Sequence, residues 1–156
     1  MDPVNVASYT LHALFAGLWT GSVLFVTLAV VPLAREGNLN AAPLDTITSK
    51  LTTISRVSAV VLFVTGSHMA AVRHTADTLT GNTNGQLVIV MLGLWLVLMA
   101  TVEIGAKKLT DGTERTKVRE PARNARPFFL VASLAGALLL VTAGLISAAN
   151  LGFFTL

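Results

Sequence analysis

Residues 6–33 read VASYTLHALFAGLWTGSVLFVTLAVVPL, a run whose only ionisable groups are Tyr9 and one histidine, His12. A helix crosses the hydrocarbon layer of a membrane in about 20 residues, so this stretch is long enough to span. Its apolar residues follow one another without alternating, which removes a transmembrane β-strand. Three further stretches resemble it, at residues 57–72, 87–106 and 128–149, the first of them reaching spanning length with its flanks.

The distribution of charge agrees. Charged residues make up 12% of the chain, against about 25% in soluble domains. Asp2 is the only one before Arg35, and none follows Arg126. The expected fold is an all-α integral membrane four-helix bundle, one domain over residues 1–156, with helices at about 6–33, 44–74, 86–108 and 127–150. MDPVNVASYT has no basic segment ahead of the apolar run, so no secretory signal peptide is expected. The chain has no cysteine, which excludes disulfides, thiolate metal sites and thiol redox chemistry.

Basic residues fall on one side. Arg35, Lys50 and Arg56 flank the first connection; Lys107, Lys108, Arg115, Lys117, Arg119, Arg123 and Arg126 fill the third; only Arg73 belongs to the other side. The positive-inside rule then predicts a multi-pass cell-membrane protein with N-terminus and C-terminus outside. The basic residues sit beside the spans, so membrane topology accounts for the high isoelectric point and no nucleic-acid partner is expected. Membrane lipids are the expected surroundings, with anionic headgroups drawn to the third connection.

In the first connection, GNLNAAP is a break followed by Pro43, which suits the first turn of a helix. Leu44, Ile47, Leu51, Ile54 and Ser58 follow at heptad-like spacing, giving an amphipathic start that is expected to lie at the inner surface or to present a partner face. TADTLTGNTNG, residues 75–85, reads as a solvated loop. Ala13, Gly17 and Gly21 form a small-residue stripe in the first span; Ala132, Gly136, Gly144 and Ala148 extend another in the fourth. Such stripes pack helices in lipid, within the bundle or in a homo-oligomer.

Ionisable groups at depth mark candidate sites. His12 lies one or two turns below the outer surface, and His68, five residues before Arg73, lies about 8 Å below it. Met69 and Met91 fall at similar depth. Imidazole with thioether suits copper, particularly Cu(I), and also haem iron. The expected metal ligands are therefore His12, His68, Met69 and Met91. For a haem b the expected contacts are His12, His68, Met91 and Trp19, which lies mid-span. Glu103 is expected to pair with Lys107, four residues on, and Arg56 to snorkel at the inner boundary. No phosphate loop, metalloprotease motif or paired-carboxylate pattern is present.

His12, Trp19 and Gly21 stand as H-x6-W-x-G in a first span that ends at Pro32, and Thr65–Gly66 follows in the second. In these residues the chain resembles the copper-resistance D superfamily, whose relatives include the haem-binding, oxygen-independent protoporphyrinogen oxidase type. The resemblance implies a bundle that binds or transports copper from the outer face, with His12 as the residue carried over. The relatives imply instead a b-type haem oxidoreductase with His12 as axial ligand. The chain departs from the pattern at Ser22, where a second glycine is common. It also lacks the oxidase branch's lysine in the third span. A third reading is a cofactor-free subunit docked to a membrane-complex partner.

Overall fold

The computed structural model describes residues 2–151 and 153, and four of its helices are long and apolar enough to cross a membrane. They are α1 (Pro3–Glu36), α2 (Ala41–Arg73), α4 (Thr83–Thr113) and α5 (Arg119–Asn150), with the short α3 (Ala76–Gly81) between α2 and α4. No strand occurs among the described residues. The chain is a four-span membrane bundle in which α1 packs on α2 and α5, α2 on α4, and α4 on α5 over the most extensive interface. Neighbours run antiparallel, which leaves a terminal end, holding the first turn of α1, the last turn of α5 and α3, and a connection end.

Several helix ends have local reasons. Asp2 accepts from the Val4 backbone N–H and caps α1, with Pro3 in its first turn. Gly37 ends α1 at φ 82°, a left-handed conformation that glycine adopts without penalty. Arg119 packs directly on it from α5, so a side chain there would have to displace the guanidinium. Pro32 cannot donate an N–H, and ahead of it Val26–Val30 widen into a π-turn in which Val31 N–H reaches Val26 O. Thr75 and Thr78 form a reciprocal capping box that makes α3 a helix, where the sequence had suggested only a solvated loop.

The helices extend further at the connection end than hydropathy indicates. α4 continues through Thr113, and α5 starts at Arg119 and passes through Pro127, so most of the presumed third loop is helical. α2 is one helix of 33 residues, about 50 Å long. Its amphipathic start does not lie flat at a surface. Leu44 and Leu51 are 0% and 3% exposed, buried inside the bundle. The periodicity was legible, but hydropathy cannot distinguish a lipid surface from neighbouring helices.

The core is confined to the connection end. Trp19, Val23 and Val26 of α1, Leu51, Ala59 and Leu62 of α2, Leu98 and Val102 of α4, and Phe129 and Ala132 of α5 are buried. Towards the terminal end, residues 3–18, 66–73, 86–97 and 143–150 include no buried residue. Close approach occurs where a glycine meets a side chain: Gly105 under the Phe129 ring, Gly112 under Pro121, Gly136 against Thr20. Gly17, Gly21 and Gly144 meet nothing within 4 Å, so the first-span stripe does not pack the bundle. Thr27, in the π-turn, accepts from Ser133 Oγ at 2.8 Å and joins α1 to α5.

Candidate metal centre

The terminal half of the α1–α2 interface is built from polar pairs. Thr65 Oγ1 uses its single proton on Val61 O at 2.7 Å. Towards His12 Nδ1, 2.8 Å away, it therefore acts as acceptor. In the tautomer this pairing favours, Nδ1 carries the proton and Nε2 the lone pair. No hydrogen bond engages Nε2 among the described residues. Beside this pair, the His12 ring rests on the α2 backbone. A Cβ added at Gly66 would lie 3.1 Å from His12 Cε1.

One turn further out, His68 Nε2 meets Asn5 Oδ1 at 2.9 Å. With the amide oxygen facing the ring, Nε2–H donates and the His68 lone pair lies on Nδ1. Asn5 precedes His12 by seven residues, two helical turns, and so shares its face. Arg73 completes the seam, its guanidinium 5.1 Å from the Tyr9 ring centroid. His74, just past α2, is half-buried. The two histidines thus occupy successive layers of one interface, each held by one nitrogen with the other left for a ligand. Metal-binding histidines are oriented in this way, by a hydrogen bond from the non-ligating nitrogen.

The other expected site residues are placed less closely. Met69 follows Thr65 by four residues and is half-buried on the same stripe of α2. Met91 belongs to α4, whose register against α2 is set by Arg56–Glu103 and by Phe63–Trp95, with ring centroids 5.7 Å apart. That register puts Met91 level with His68, on the Trp95 stripe. No hydrogen bond or ring contact ties either methionine to a histidine. Trp19 is 1% exposed on the His12 face of α1, about 10 Å along the axis from His12, and so lies below the histidine layers. Among the described residues no three His, Asp or Glu side chains converge on one point. A metal here would draw on two imidazoles and thioether sulfur.

Glu103 pairs across helices, not with Lys107. Arg56 Nε and Nη2 donate to its two carboxylate oxygens at 2.7 and 2.9 Å, a bidentate link between α2 and α4. Four residues' spacing had suggested the intrahelical partner, and a residue on another helix supplied the better geometry. Asn5, Thr65 and the Arg56–Glu103 link acquire their roles only through helix register. The one prior signal was Thr65–Gly66 in the family resemblance. No family model, curated protein or solved structure matches this chain.

Proposed function

We propose that this chain is a cell-membrane protein with both termini outside, and that it binds copper, as Cu(I), at His12 and His68 for retention or passage from that face. The observation that carries the reading is the His12 clamp. Thr65 holds Nδ1–H and sets the lone pair on Nε2, while the α2 backbone at Gly66 lies against Cε1, next to Nε2. A single ion asks only for the Nε2 lone pair and a second soft donor within the ~8–10 Å between adjacent helices, whereas a porphyrin needs more room. Soft imidazole and thioether donors match Cu(I), with Met69 or Met91 as the thioether. The copper-resistance D resemblance points the same way. Ten of the eleven basic residues lie at the connection end and Arg73 at the other, which supports the orientation.

The test is an anaerobic Cu(I) titration against a competing chelator on the mildly solubilised full chain, with an absorption spectrum of the same sample. Binding of copper that is abolished in His12→Ala and weakened in His68→Ala is the expected result. A Soret band lost in His12→Ala would replace copper by haem. Retention of neither would leave a cofactor-free subunit. The cysteine-free sequence permits a clean topology test. Thr80→Cys should react with an impermeant maleimide on intact cells and Thr116→Cys should not; the reverse pattern would invert the orientation.

A further inference from the structure

Most hydroxyls in the spanning helices are satisfied by their own helix. Thr10, Ser22, Thr27, Thr48, Thr101 and Thr142 each donate to the carbonyl one turn back, at 2.7–2.9 Å. Ser55 and Ser58 do not. They are 1% and 0% exposed, and neither Oγ has a partner. The Trp19 indole N–H is equally buried and equally unpartnered.

Extending the His12–Thr65 register places the three at one level of the α1–α2 interface. His12 faces Thr65 across the α1–α2 interface. Seven residues are close to two turns and return to nearly the same face. Because the helices are antiparallel, one heptad down α1 and one back along α2 pairs Trp19 with Ser58. The next heptad pairs Val26 with Leu51, and all four of these residues are buried. Ser55 lies one turn from Ser58 on the same stripe, between Leu51 and Leu62.

We propose that Trp19, Ser55 and Ser58 bind a water molecule in the middle of the bundle, between α1 and α2. An indole N–H is a donor only, so the occupant must present a lone pair to it and protons or lone pairs to the hydroxyls. Water does both: its oxygen accepts from Trp19 Nε1–H and from one serine O–H, and one of its protons goes to the other serine Oγ. Three such bonds match the usual valence of a buried water. The surroundings favour the occupancy, because no bulk water reaches this depth to satisfy three polar groups. This inference stands apart from the copper reading.

Radiolytic hydroxyl labelling of the full chain in lipid nanodiscs tests it, since a bound water generates the oxidant in place. Phe129, 0% exposed, is the control of equal burial. After normalising for intrinsic reactivity, Trp19 should be oxidised well above Phe129, and several-fold less in Ser55→Ala/Ser58→Ala. Trp19 as protected as Phe129, or labelling unchanged in the double variant, overturns the proposal. An independent readout is resonance Raman on Trp95→Phe, which leaves Trp19 as the only tryptophan. A hydrogen-bonded N–H band that moves towards the free position in the serine double variant is expected. A free N–H in the Trp95→Phe protein would mean that the serines turn onto the Leu51 and Ile54 carbonyls instead, which also overturns it.

Discussion

At the connection end, Phe129 covers Gly105, Pro121 covers Gly112, and all four spanning helices contribute residues with no exposed surface. At the terminal end, Gly17 and Gly144 meet nothing, Gly85 against α3 is the one buried residue of the last turns among the described residues, and three polar pairs join α1 to α2. Between helices in lipid the hydrophobic effect supplies little, because lipid tails are as apolar as leucine. Cohesion therefore comes from close packing where large residues meet small ones, and from polar pairs elsewhere. The closely packed end fixes the bundle. The polar end is the one with side-chain nitrogens to offer a ligand, and binding regions are commonly drawn from the less stable parts of a fold.

The largest test of that contrast is Phe129→Ala. Removing a fully buried ring from over Gly105 should cost about 3–5 kcal/mol, read as a lower midpoint in thermal or detergent unfolding. The same truncation at the terminal end, Leu145→Ala, should shift it by less than about 0.5 kcal/mol. Equal effects would erase the distinction between the two ends. Next comes Gly112→Ala, whose new Cβ would overlap the Pro121 ring. Overpacking of this kind costs about 1–3 kcal/mol, and an unchanged midpoint would mean that α4 and α5 are not in close contact there.

Thr65→Val sharpens the comparison at the polar end. It keeps the shape, removes the acceptor for His12 Nδ1–H, and should weaken Cu(I) binding about 10–100-fold, the usual effect of losing a ligand's supporting hydrogen bond. Unfolding should move much less than in Phe129→Ala. If copper affinity survives while stability falls, Thr65 is a packing residue and the clamp has no part in binding. The smallest effects belong to Gly17→Ala and Gly144→Ala, where a methyl group enters open space. Each should be neutral or raise stability by up to about 1 kcal/mol through helix propensity. Destabilisation at Gly17 would show that the stripe is covered by something other than this chain's own helices.

How far the sequence carries varies with the kind of interaction. Span number and class follow from continuous apolar runs, because each backbone hydrogen bond in a membrane helix is local and each span can be recognised alone. Helix ends at the connection side were underestimated by several residues, at Thr113 and Arg119, because a charged helix and a charged loop have the same hydropathy. That His12 and His68 sit towards the same end of the bundle was legible from counting residues. Their partners were not, since Thr65 and Asn5 lie 53 and 63 residues away and pair only once α1 and α2 take one register. The sequence by itself therefore determined that four helices span, that the basic residues gather at one end, and that two histidines sit near the other, because hydropathy and rise per residue are local properties. Only the tertiary structure decided which nitrogen of each histidine is engaged, that Arg56 rather than Lys107 answers Glu103, and that Thr65 and Asn5 meet the two histidines, because each depends on how two helices are rotated and shifted against one another.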